Sequence, residues 1–93
     1  MIAVSWSTEA IVSLDQIASH IEQDNPPAAL RMKRDLRKAG ESLGIFPNRG
    51  QPTQNGEREL VTVWPYIITY AVEPERVTIL SIRHGAQLPR PAP

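Results

Sequence analysis

The chain has no cysteine among its 93 residues. That excludes a disulfide framework and a thiolate metal site alike, and it fits a reducing cytoplasm. It has no net charge either, because ten Lys and Arg balance ten Asp and Glu. Proteins that grip nucleic acid through several phosphates usually carry a clear positive excess, so the balance counts against a nuclease that must grip RNA, and no direct sequence-specific DNA binding by this chain is expected. No apolar run approaches the roughly 20 residues needed to span a bilayer, so no membrane partner is expected. The start, Met1-Ile2-Ala3-Val4, moves straight into polar residues and lacks the pattern of a secretory leader. The two histidines, His20 and His84, lie far apart and offer no metal-ligand spacing. There is no Gly-rich phosphate loop and no nucleophile elbow. No cofactor and no metal is expected, and no internal repeat is present.

What remains is enough for one modest core. One domain is expected over residues 1–88, followed by a flexible Pro-rich tail, Pro89-Arg90-Pro91-Ala92-Pro93. A first strand is expected from Ile2 to Ser5. A helix then starts at Ser7 or Thr8, either of which can cap it, with Glu9 in its first turn. Its apolar face is read as Ile11, Leu14, Ile17, Ala18 and Ile21. Asn25 caps a second helix, with Pro26 at the position where a missing N–H costs nothing. Ala29, Met32, Leu36, Ala39 and Leu43 form a narrow seam along it. Gly40 lies in that seam as a weak point or a place of close approach, and Gly44 ends the helix. Residues 1–29 carry Glu9, Asp15, Glu22 and Asp24 and no Lys or Arg. The stretch from Leu30 to Ala39 carries Arg31, Lys33, Arg34, Arg37 and Lys38 against Asp35 alone. Two antiparallel helices would attract through these faces; alternatively Arg31, Arg34 and Lys38 offer a docking face to an acidic partner.

From Phe46 to Glu57 the chain is loop-like, punctuated by Pro47, Gly50, Pro52 and Gly56. Three short strands follow: Arg58 to Val63, Tyr66 to Val72 and Val77 to Ile82. Alternation sets Ile68 and Val72, with Leu80 and Ile82, on the core side. It sets Arg83 on the open face and His84 at the core-side edge. The expected fold class is α+β, an N-terminal strand and a helical hairpin packed on a small antiparallel sheet. Apolar residues on both sheet faces leave room for a partner over the open one.

The ordered set of these features resembles the RelE/ParE superfamily of toxins from type II toxin–antitoxin modules. Its carriers are Val4-Ser5-Trp6-Ser7, Asn25-Pro26-Pro27-Ala28-Ala29, Pro47 with Gly50, Arg58-Glu59-Leu60, Tyr66-Ile67-Ile68 with Tyr70, and Val77 to Ile82 followed by His84-Gly85-Ala86-Gln87. The resemblance spans roughly Val4 to Pro89 and leans to the ParE branch. It implies a cytoplasmic toxin, a cognate antitoxin as partner, and DNA gyrase as target. The alternative it leaves is a ribosome-dependent endoribonuclease of the RelE kind, acting on ribosome-bound mRNA; a remnant that only binds antitoxin is a third reading.

An RNA-cleaving site needs cations at the scissile phosphate, a base and an acid. Arg58, Arg83 and His84 are the trio available, with Glu57 or Glu59 as a possible base. Where the nucleases carry basic residues this chain has Thr62, Trp64, Ala86 and Gln87, which weakens that reading. Arg58, Arg83, His84 and Gln87 remain candidates for binding the target. Trp64 and Tyr66, flanking Pro65, join Arg31, Arg34 and Lys38 as candidates for binding the antitoxin. The plainer readings stand beside these: His84 as a strand-end histidine meeting backbone groups, Arg58 as a sheet-edge arginine paired with Glu59, Glu57 or a C-terminal group, and His20 as a surface residue.

Overall fold

A computed structural model describes residues 1–85 of the chain. In chain order the elements are β1 (Ala3–Trp6), α1 (Thr8–Glu22), α2 (Pro26–Glu41), a 3-10 turn (Ser42–Gly44), β2 (Gln51–Pro52), β3 (Arg58–Val63), β4 (Tyr66–Val72) and β5 (Arg76–His84). The strands form one sheet in the order β1-β5-β4-β3-β2. The meander β3-β4-β5 is antiparallel, as is the short β2-β3 pair, but β1 runs parallel to β5. The sheet is therefore mixed, where an antiparallel one was expected. The long crossover through the helical hairpin is what permits the parallel pair.

The caps form where the residue types place them. The Ser7 side chain accepts from the Ala10 amide at 3.0 Å, and Asn25 Oδ1 accepts from the Ala28 amide at 3.1 Å. Ser7 also ties the helix to the sheet. Its amide donates to the Ile79 carbonyl and its hydroxyl to the Leu80 carbonyl, at 2.9 and 2.8 Å.

That attachment falls at a bulge in β5. Thr69 pairs with Ser81 and Tyr70 with Ile79, so Leu80 is the extra residue. The bulge overturns simple alternation. Val77 and Ile79 are fully buried, while Leu80, expected in the core, is half-exposed. Ile82 is buried as expected because the bulge restores its phase. Val72, expected in the core, is exposed at the sheet end.

Both helices cover one face of the sheet. The core joins Ala10 and Leu14 of α1, Leu36 and Ala39 of α2, and Leu43 to Leu60, Ile68, Tyr70, Val77, Ile79 and Ile82. Helix α1 is rotated from the expected phase: Ala10 is fully buried and Ile11 is 48% exposed. Lys33 of α2 meets Asp15 of α1 at 3.2 Å, so the opposite charges of the two helices do face each other. Gly40 is a place of close approach, but to the sheet. A Cβ there would stand 2.6 Å from Trp6 Cζ2 and 2.7 Å from Ile79 Cδ1. Gly44 does not end α2, which stops at Glu41; it sits in the 3-10 turn, where its carbonyl accepts from the Ile2 amide at 2.8 Å. The Pro-rich tail and Gln87 lie outside the described residues.

Candidate functional site

Two residue clusters hold the groups that could carry function, and the sheet separates them. Arg58 pairs across the strands with Tyr70, whose side chain is buried under the helices. Arg58 Nη1 donates to the Gly50 carbonyl at 2.7 Å and to the Asn48 carbonyl at 3.4 Å. Tyr70 reaches the same loop. Its hydroxyl donates to the Pro47 carbonyl at 2.8 Å and accepts from the Gly50 amide at 2.7 Å. Gly50 permits this close approach, since a Cβ there would stand 2.7 Å from both the Glu59 carbonyl and the Tyr70 hydroxyl. Arg58 is thus occupied with backbone carbonyls, where its plainer reading had a paired acid. Sequence reasoning missed Tyr70, whose buried aromatic ring gave no sign that its hydroxyl would pin a distant loop.

The open face carries the second cluster. Glu59 lies opposite Thr69, Thr69 opposite Ser81, and Arg83 two residues further along β5. Arg83 Nη2 donates to Glu59 Oε2 at 2.8 Å, crossing the central strand β4 diagonally. The Arg83 side chain is 12% exposed and that of Glu59 32%. Under this bridge Thr69 and Ser81 are each only 3% exposed, and neither hydroxyl has a hydrogen-bond partner. Nothing in the alternation of the strands marked these two hydroxyls as buried.

His84 projects to the helix side of the sheet edge, where its ring meets Tyr66 edge-on with centroids 5.6 Å apart. So the trio Arg58, Arg83 and His84 is not brought together. Arg58 and His84 belong to the helix side, at Tyr70 and Tyr66 respectively, and Arg83 to the open side.

The candidates for partner binding are spread more widely. Arg31, Arg34 and Lys38 are exposed along α2, with the apolar Leu30 exposed beside them. Trp64 is 76% exposed, whereas Tyr66 packs partly against the core. Beyond α2, Ile45 and Phe46 are exposed next to a hollow of about 680 Å³ lined by Ser42, Phe46, Pro47, Asn48 and Arg49. Arg49 Nη1 donates to Ser42 Oγ at 2.8 Å. Among the described residues no group of three or more His, Cys, Asp or Glu could hold a metal ion, and no helix is long and apolar enough to cross a membrane.

A helical hairpin on one face of a five-stranded mixed sheet is the architecture of the RelE/ParE toxins. The model of the family described as ParE toxin of type II toxin-antitoxin system, parDE, matches residues 4–89, and the chain belongs to this family of type II toxins. It is 42% identical over 88 residues to Toxin RelE2 of Caulobacter vibrioides, covering 95% of this chain and all of that one. It is 36% identical over 86 residues to the putative toxin Y4kP of Sinorhizobium fredii, covering 90% and 88% of the two. Among solved structures it superposes on a chain of the chromosomal ParDE system from P. aeruginosa with a TM-score of 0.81 at 26% identity, covering 90% and 96%. A chain of the toxin–antitoxin complex RelBE2 from Mycobacterium tuberculosis shares the fold, with a TM-score of 0.69 at 20% identity over 89% and 96%.

Proposed function

We propose that this chain is a cytoplasmic toxin that is held inactive by a cognate antitoxin and that acts by binding DNA gyrase, without cutting RNA. The observation that carries this reading is the division of the cations. Arg58 serves the loop carbonyls on the helix side, and Arg83 serves Glu59 on the other. A phosphate in a cleavage site needs convergent cations aimed at the charge that develops during reaction. Two arginines on opposite faces of one sheet cannot converge on it. The zero net charge points the same way.

The antitoxin reading is supported by the exposed surface and by the two structural relatives, which come from a ParDE system and from a RelBE2 complex. Exposed cations at Arg31, Arg34 and Lys38, with Leu30 beside them, suit an acidic segment that orders on binding. Trp64 offers an exposed aromatic anchor at the β3-β4 turn.

Pulse labelling after induction of the toxin without its antitoxin tests the target. Thymidine incorporation is expected to fall first, with methionine incorporation following later. Early loss of methionine incorporation, with mRNA cut on ribosomes, would move the assignment to an endoribonuclease. Loss of neither label would leave only a module that binds antitoxin.

A further inference from the structure

The bridge on the open face has an odd internal economy. Arg83 already holds a carboxylate, yet the two hydroxyls beneath it hold nothing. A buried hydroxyl without a partner costs stability, and native folds keep such groups mainly where function needs them. The carboxylate itself is the loose member of the pair, since Glu59 is more exposed than Arg83. Beside it opens a hollow of about 280 Å³ whose lining includes Thr53, Asn55, Glu57, Glu59 and Thr69.

We propose that Glu59 is an internal stand-in for an acidic side chain of a protein partner, and that Arg83, Thr69 and Ser81 form the site that takes this carboxylate when Glu59 lets go. Arg83 supplies the paired donors that match a carboxylate. Thr69 and Ser81, facing each other across β4 and β5, supply hydroxyls able to donate to its second oxygen. A protein carboxylate fits better than a nucleic-acid phosphate for two reasons. The site already holds a carboxylate, and its cross-strand neighbour is the apolar Ile67, where a phosphate site would need a second cation. In the free chain the bridge keeps Arg83 self-occupied, so the partner's affinity is lowered by the fraction of time the site is open. The inference rests on the geometry of the sheet face alone and stands whether or not gyrase is the target.

The test follows the Arg83 Nε–H resonance by NMR in the full chain, titrated with acetate. Glu59→Gln keeps the shape and removes the competing charge. Its Arg83 resonance is expected to respond at about tenfold lower acetate concentration than in the wild type, because the site is no longer closed by its own carboxylate. Adding Thr69→Val to Glu59→Gln should weaken that response again, which a simple loss of one ion pair would not do. Equal titration curves for wild type and Glu59→Gln would overturn the proposal. So would a Glu59→Gln variant that binds a single-stranded oligoribonucleotide while ignoring acetate, since that would make the site one for phosphate. Glu59→Ala covers the case of a misfolded glutamine variant: it removes the same carboxylate and should show the same gain in acetate response, an unchanged curve again counting against the idea.

Discussion

The two faces of this sheet are built on opposite terms. On the helix side Leu36, Leu43, Ile68, Val77 and Ile79 pack without exposure, and the Tyr70 hydroxyl both donates and accepts. On the open side the buried groups are polar and only partly satisfied, with an ion pair laid over two hydroxyls that have no partner. The first face is where folding free energy is gained. The second gives some of it up, which is the usual mark of a surface kept for binding. Substitutions that empty the helix side should therefore be costly, and removal of an unpartnered hydroxyl on the open side nearly free.

The largest expected effect lies on the helix side. Leu36 is fully buried between α2 and the sheet, so Leu36→Ala should lower stability by about 2–5 kcal/mol. Chemical denaturation with an unchanged slope would read this directly. A loss below about 0.5 kcal/mol would mean that the seam is not the core and that the contrast between the faces is false.

Next in size is Tyr70→Phe. The ring stays buried, so only the hydroxyl is lost, and the Gly50 amide is left without its acceptor. A loss of about 1–3 kcal/mol is expected. Faster hydrogen exchange at the Gly50 amide would show that the effect passes through the loop and not the core.

Gly40→Ala sharpens the same face by setting two effects against each other. Alanine favours a helix interior over glycine by about 1 kcal/mol. Against that, its Cβ would stand 2.6 Å from Trp6 and 2.7 Å from Ile79. Overpacking of this kind costs typically about 1–3 kcal/mol, so a small net loss of stability is expected. A net gain would show that Trp6 swings aside, which the loss of its 2.8 Å hydrogen bond from Nε1 to Glu41 would report.

Much of this contrast was legible before the structure, and the exceptions share a cause. The helices, the cap at Asn25, a first cap at Ser7 or Thr8 that the structure places at Ser7, and the strand β4 from Tyr66 to Val72 follow from local residue types and spacing. What failed was phase. One extra residue at Leu80 moves Val77 and Ile79 into the core, and no feature of Val77 to Ile82 announces it. The group that binds there lies 73 residues away, where the Ser7 hydroxyl donates to the Leu80 carbonyl. Helix α1 is likewise rotated onto Ala10, so that Ile11 points outward. The direction of β1 was also beyond local reading, because pairing with β5 is a property of the whole topology. For the candidate site, alternation alone placed Arg83 opposite to the helices and His84 on their side. The partners were not legible. Arg58 prefers the carbonyls of a loop to its neighbouring glutamate, and Glu59 crosses a strand to reach Arg83.

The smallest effect is the most discriminating, because its sign should reverse. Thr69→Val replaces a buried hydroxyl that has no partner with a methyl group of nearly the same size. On the helix side a change of this kind would cost a hydrogen bond; here there is none to lose. Valine also suits the centre of a sheet better than most residues. A buried polar group without a partner is destabilising by about 1–3 kcal/mol, and removing it should return part of that. The expected result is a neutral to slightly higher stability, up to about 1 kcal/mol, and a Tm raised by up to about 4–8 °C. The Glu59–Arg83 bridge above it should be unchanged, which the Arg83 Nε–H resonance would show. A clear loss of stability would mean that the Thr69 hydroxyl is hydrogen-bonded after all, and that the open face is held together as fully as the face under the helices.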